Sequence, residues 1–200
     1  NLAWTIENFA ANADGMITFP TKFDMVTPLL SLDHKRKTIF RMSVNPREII
    51  RQAELGTSPL EARIRALNEM CEAGYPVGIL IAPVILVPDW KKLYKELIEE
   101  EGAEAQIIFA NNPRKIVDTL SENVKNSAFI EVIFMTYGYV QNAINQEALP
   151  KFASIYQKEI MTGRGKGKYC YKDALRREGE DFLRKELVEK LNGIPILYIV

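Results

Sequence analysis

Short apolar runs rich in β-branched residues alternate with stretches of helical periodicity along this chain, and that alternation restricts its fold more than any other feature. The apolar runs are "GMITFP" (15–20), "TIFRMSV" (38–44), "PVGILIAPVIL" (76–86), "AFIEVIFMTYG" (128–138) and "IPILYIV" (194–200). Between them, "SPLEARIRALNEMCEAG" predicts a helix with Ser58 as N-cap and Glu61 completing a capping box. "PDWKKLYKELIEEEG" predicts another, opened by Pro88 and closed at Gly102. A third, "KDALRREGEDFLRKELVEKLNG", has an apolar face of Leu175, Phe182, Leu183, Leu187 and Leu191. The chain opens on an amphipathic pattern (Leu2, Ile6, Phe9, Ala10). Parallel strands need long crossovers, which helices supply, so this order predicts an α/β fold with a parallel sheet. Residues 98–127 read less simply: a helix is expected from Pro113, capped by Asn112, with "AQIIFA" either an extra strand or part of a connection.

The strand runs are nearly continuous in apolar residues, as in sheets covered on both faces. Their C-terminal ends are polar: Lys22 follows the first, Ser43 and Asn45 end the second, "IAPV" ends the third, and Thr136 and Tyr137 end the fourth. Open α/β sheets and barrels bind ligands at that edge. Lys22, directly after "ITFPT", reads as an ammonium suited to a carboxylate or phosphate, and equally as an ordinary surface lysine. The Ser43 hydroxyl either meets a ligand or caps backbone groups in the turn before Pro46.

Several function classes lose support. The longest apolar run, Val77 to Val87, is broken by Pro83 and falls short of the ~20 residues that span a bilayer, so a soluble protein is expected. No secretory signal pattern opens the chain, and a cytoplasmic location is expected. The first residue is Asn and the chain begins inside a helical pattern, which leads us to expect that residue 1 is not the natural start. Cys71 and Cys170 have no partner at metal-ligand spacing. Cys71 is expected as a buried small hydrophobe. Cys170, between two tyrosines and close to Lys168 and Lys172, reads as an inward strand residue or as a thiol with a cationic surrounding. There is no P-loop, dinucleotide fingerprint, nucleophile elbow or zinc pattern. His34, the one histidine, is read as solvated, which leaves a Ser/His/Asp triad without support. The "EEEG" run (99–102) is read as the solvated end of a helix.

One local feature stands out from a chain of 26 basic and 26 acidic residues. "TGRGKGKYCYK" (162–172) holds three glycines and four cations, and from Lys158 to Lys172 the local charge is +4. Alternating glycines weaken any helix or strand interior, so a hairpin with a cationic tip is predicted, Tyr169 and Tyr171 on one face of its return strand and Cys170 on the other. Its amides and cations suit phosphates and its tyrosines suit unpaired bases; a solvated charged hairpin is the other reading.

The stretches "FPTKFDMVTPLL", "TIFRMSVNPREIIRQAELGTSPLEARIRALNEMCEAGYPVGILIAPVIL" and "GRGKGKYCYK", in this order, resemble the C-terminal part of the spore photoproduct lyases, radical S-adenosylmethionine DNA-repair enzymes. The resemblance implies a partial (β/α) barrel of radical SAM type, incomplete at the N-terminus, with a C-terminal basic β-hairpin and helix. The order of elements itself divides the chain into a body, residues 1–149, which this likeness makes the barrel part, and a tail, 150–200, of hairpin, long helix and closing strand. The resemblance implies a lyase that uses a reduced 4Fe-4S cluster and S-adenosylmethionine to generate a 5'-deoxyadenosyl radical, which abstracts hydrogen from the thymine dimer spore photoproduct and restores two thymines. Lys22, Ser43 and Ala82 match cofactor-contacting positions, and Arg164 lies in the family's wedge-like hairpin, with Lys166, Lys168, Tyr169 and Tyr171 as further expected DNA contacts. Gly165 stands where a larger residue is expected in some relatives. The cluster's CxxxCxxC motif and the hydrogen-donating cysteine are absent and are expected upstream, so no catalytic residue or metal ligand is expected in this chain, which is predicted inactive alone. The expected partner is DNA containing a thymine lesion, and self-association of the isolated chain is a further expectation. The alternatives are a non-catalytic nucleic-acid-binding domain on the same scaffold, or a radical SAM relative with another substrate.

Overall fold

The structure, a computed structural model, describes residues 1–102, 107–108, 115–116, 119–138 and 158–200. Its centre is a five-stranded sheet of β1 (Ile17–Thr21), β2 (Thr38–Val44), β3 (Val77–Val84), β6 (Phe129–Phe134) and β10 (Ile196–Ile199), in that spatial order. Every neighbouring pair is parallel. The final strand thus returns to the sheet beside β6, through Ile196 opposite Ile130.

The apolar runs form strands because alternate residues meet a helical layer. Phe40, Met42 and Val44 of β2, Val77, Ile79 and Ile81 of β3, and Ile130, Val132 and Phe134 of β6 are buried in one core. They share it with Ile64, Leu67 and Met70 of α3 (Leu60–Glu72). The opposite row includes Ser43, Leu80 and Ala82, which line a cleft. Gly78 lies in that row, and a Cβ there would come within 2.6 Å of the Phe129 ring, which lies across β3 at this point.

The remaining helices are α1 (Leu2–Asn12), α2 (Arg47–Ala53), α4 (Trp90–Gly102), α5 (Glu122–Ser127) and α6 (Asp173–Lys190). The β1-to-β2 connection contains a single 3-10 turn, Thr27–Leu29, in place of a full helix. The α3 start also differs from expectation: Pro59 is its N-cap, because the Ser58 hydroxyl turns to Asp24, donating to Oδ1 at 2.6 Å and accepting from the Asp24 amide at 3.0 Å. Asn112 and Pro113 lie outside the described residues, but Lys115–Ile116 is a short strand (β5) antiparallel to Ile107–Ile108 (β4), not the expected helix. Ser121 caps α5, accepting from the Val124 amide.

Three strands form a second sheet in the order β7 (Thr136–Gly138), β9 (Lys168–Tyr171), β8 (Met161–Gly165), all antiparallel. β7 begins two residues after β6 ends, so this small sheet grows directly from the C-terminal edge of the large one.

His34 is a correction to the sequence reading. Only 7% of it is exposed, its ring stacks on Tyr75 at 3.7 Å, and it is enclosed by α3's C-terminal turn. The Arg36 amide donates to Nδ1 at 3.0 Å, so Nε2 carries the proton and donates to Ala73 O at 3.1 Å. Both nitrogens serve the fold. Cys71 is only partly buried, with Sγ 3.4 Å from Ser127 Oγ, because it sits at the margin of the α3 apolar face.

Candidate functional site

Lys22 leaves the end of β1 and turns over the tips of β2 and β3. Its ammonium donates to Ser43 Oγ at 3.0 Å, to Ala82 O at 2.9 Å and to Glu54 Oε1 at 2.5 Å. Ser43 Oγ donates to the same Ala82 carbonyl at 2.7 Å. The three residues singled out in the sequence as cofactor contacts, 60 positions apart at the extremes, therefore meet at one carbonyl. Parallel strands in register make this possible: Ser43 faces Leu80 across β2 and β3, and Ala82 is the next residue of the same row.

Behind this trio lies a charge cluster that sequence reasoning missed. Glu54, just past α2, receives Lys22 and Asn45 Nδ2 (2.8 Å) on Oε1, while its Oε2 lies 2.7 Å from Arg63 Nη1. Arg63 is fully buried, and its other donors go to Ser58 O, Ser43 O and Thr57 Oγ1. Asn45 also donates to Pro83 O at 3.1 Å and accepts from the buried Tyr94 hydroxyl, which in turn accepts from the Ile85 amide. A signal for Arg63 existed: it falls on the α3 face of Leu60, Ile64 and Leu67, where an unpaired cation would be very costly. Glu54, a lone acid after a short helix, carries none.

The electrostatics follow from burial. Desolvation drags the Lys22 ammonium below the ordinary lysine value, outweighing the attraction of Glu54, and Arg63 pushes the same way. Burial raises the Glu54 carboxyl, but Lys22, Asn45 and Arg63 together outweigh it and hold the group below its ordinary value. Two cations around one carboxylate leave a net positive charge, and it reaches solvent through Lys22, whose side chain is 30% exposed.

That charge borders a cleft of about 530 Å³ at the strand ends, lined by Thr21, Lys22, Ser43, Leu80, Pro83 and Phe134, among others. Apolar walls with a few convergent polar groups are the usual make-up of a small-molecule site. Thr136, at the start of β7, also lines it, so the small sheet forms one wall.

The expected DNA contacts divide. Arg164, Lys166 and Lys168 are exposed on the β8–β9 pair, whose turn through Gly165, Lys166 and Gly167 has φ of 82°, 51° and 71°. Tyr169 is half-buried and stacks on Tyr137 at 5.6 Å. Tyr171 is 1% exposed, and its hydroxyl accepts from the Leu86 amide at 2.8 Å. It anchors the strand in the core and offers no face to a base, a correction that follows from β9's last residue reaching the main body. Cys170 is half-buried between them.

The sequence profile of the spore photoproduct lyases matches residues 1–200. The chain belongs to the spore photoproduct lyase family. It is 31% identical to spore photoproduct lyase of Bacillus subtilis (strain 168) over 186 residues, 91% of this chain and 49% of that protein. It is 28% identical to that of Geobacillus sp. (strain Y412MC61), covering 99% of this chain and 55% of the relative. A solved spore photoproduct lyase double mutant with bound AdoMet and dinucleoside spore photoproduct superposes with a TM-score of 0.83 at 27% identity, over 100% of this chain and 55% of that one. The chain thus spans about half the length of its spore photoproduct lyase relatives.

Proposed function

We propose that this chain is the C-terminal portion of a radical S-adenosylmethionine lyase that returns spore photoproduct in DNA to two thymines, its sheet forming part of an incomplete (β/α) barrel. In this reading residues 1–149 carry the cofactor rim, and 150–200 carry the DNA-facing hairpin, long helix and closing strand. The observation that carries it is the meeting of Lys22, Ser43 and Ala82 at one carbonyl beside the cleft. The relatives' names supply the substrate class: one neighbour is complexed with dinucleoside spore photoproduct and another holds AdoMet as well.

The cleft suits such a cofactor on its own terms. Lys22 presents a cation to a carboxylate, and Leu80, Pro83 and Phe134 offer apolar surface to a nucleoside. S-Adenosylmethionine bound there would supply one-electron, hydrogen-abstracting chemistry. The chain's own residues hold the ligand's carboxylate, exclude water from one wall and fix the strand ends. An iron–sulfur cluster does not fit the described residues: no group of three His, Cys, Asp or Glu among them could hold a metal ion. Cluster ligation is assigned to sequence beyond this chain, and the 200 residues alone are inactive in this reading. Among the described residues no helix is long and apolar enough to cross a membrane.

Arg164, Lys166 and Lys168 grip phosphates in this reading, with Tyr169 beside them. Separating a base step costs a few kcal/mol, least at a lesion, and cationic contacts to the backbone beside the lesion offset part of that cost in this reading. The sheet edge at β1 is where the isolated chain would self-associate.

The test uses the anaerobically purified intact gene product. It should bind S-adenosylmethionine and revert dinucleoside spore photoproduct, and Lys22→Met should weaken cofactor binding by about tenfold or more. The 200-residue chain alone should form no 5'-deoxyadenosine. A gene product that binds DNA but neither cofactor nor lesion would establish the non-catalytic reading instead.

A further inference from the structure

Glu54 is a charged residue beside the cofactor rim to which the reading above gives no task. It is held on its far side. Asn45 and Arg63 grip the carboxylate at 2.8 and 2.7 Å, and both are buried and bonded in turn to the backbone of β2, β3 or the α3 start. Toward the cleft, Glu54 is met by Lys22.

A lysine side chain is a compact charge on a flexible four-carbon stem, and alone it would sweep a wide arc. Here Glu54, Ser43 and Ala82 O fix its head from three different elements. The charged groups acting on it are Glu54 beyond α2 and Arg63 on α3, and they act in opposite directions; Asp24, two residues along, turns away to Ser58. Without Glu54, the ammonium would be half-buried beside a second cation, with its charged form opposed by both burial and repulsion.

We infer that Glu54 is a positioning residue: it fixes Lys22 at the strand rim and keeps it charged toward a carboxylate-bearing ligand, acting on that ligand only through Lys22. This inference rests on the cofactor reading of the cleft, and it adds a residue that none of the matching strand-end positions includes.

The experiment measures S-adenosylmethionine binding by calorimetry in the intact gene product from about pH 6.5 to about pH 9, below the ordinary lysine range. Wild type should bind with little change across that range. Glu54→Gln should bind roughly tenfold more weakly, and the deficit should grow as pH rises. Glu54→Gln added to Lys22→Met should weaken binding no further, because the two residues act as one unit. A deficit that is independent of pH and adds fully to that of Lys22→Met would be a packing effect and would overturn the inference. Should Glu54→Gln not fold, selectively labelled lysine in the wild-type protein decides by NMR. A Lys22 ammonium signal that persists through this pH range supports the inference; deprotonation within it overturns it. Wild-type protein that binds no S-adenosylmethionine overturns the cofactor reading and this inference together, whereas normal binding by both wild type and Glu54→Gln overturns this inference alone.

Discussion

Gly179 sits in the middle of the 18-residue α6, where glycine is a poor helix former by about 1 kcal/mol relative to alanine. Its reason is Phe134: a Cβ at Gly179 would lie 2.7 Å from Cε1 of that ring. The ring has little room to yield, since Phe134 is 4% exposed and meets Tyr171 edge to face at 6.3 Å. Overpacking of this kind costs about 1–3 kcal/mol, which exceeds the propensity gain. Gly179→Ala is therefore expected to destabilise the protein by about 1 kcal/mol, read as a lower urea midpoint at unchanged slope. An unchanged or higher midpoint would mean that the α6–β6 contact is slack. The sequence shows a glycine interrupting a helical pattern but gives no hint of the ring that requires it. Arg63 is the opposite case, because its place on an apolar face already announced a buried cation, though not its partner.

At the level of elements, the β8–β9 pair combines a tethered end with an exposed one. Tyr171 fixes β9 to the Leu86 amide, and the three exposed cations Arg164, Lys166 and Lys168 lie toward the turn. Each phosphate contact by a cation changes the salt dependence of DNA affinity by a slope of about 0.7–0.9. If all three grip DNA, replacing them with glutamine should lower the magnitude of that slope by roughly 2–3, while near-ultraviolet circular dichroism stays as in wild type. An unaltered slope would move the DNA contact elsewhere. Strand β3 is the second two-sided element, and its extension runs straight from the cleft to this sheet. Ala82 O and Pro83 O accept from Lys22, Ser43 and Asn45, while the Ile85 and Leu86 amides donate to Tyr94 and Tyr171. The "IAPVIL" segment was legible as the end of a strand. That five side chains, brought by the ends of β1 and β2, by α4 and by β9, hold its backbone was not.

For the whole molecule, the buried Glu54 cluster is one route by which pH acts on stability. Because the folded carboxyl titrates below its ordinary value of 4.5, its stabilising contribution is complete above that pH and is lost as pH falls through the folded value. Lys22 is also held below its ordinary 10.5, so for this group stability rises with pH between its folded value and 10.5. Thermal melts of the protein should show a midpoint that falls as pH drops below about 4.5, with a shallower fall in Glu54→Gln over that window. An equal fall in both would assign acid lability to other carboxylates.

The parallel α/β arrangement, the polar strand ends and the cationic glycine-rich segment were all determined by the sequence, because each depends on local periodicity or composition. Lys22 and Ser43 could be picked out one at a time on those grounds, and Ala82 through the family resemblance. Their convergence on one carbonyl depends on strand order and register, which local pattern does not encode. The same holds for the inward turn of Tyr171, read from the sequence as a DNA contact, and for the enclosure of His34, read as solvated. Above all, tertiary structure alone brought Glu54 to Lys22 and Arg63: a buried charge is tolerated only beside its partners, and those partners lie 32 and 9 positions away in the chain.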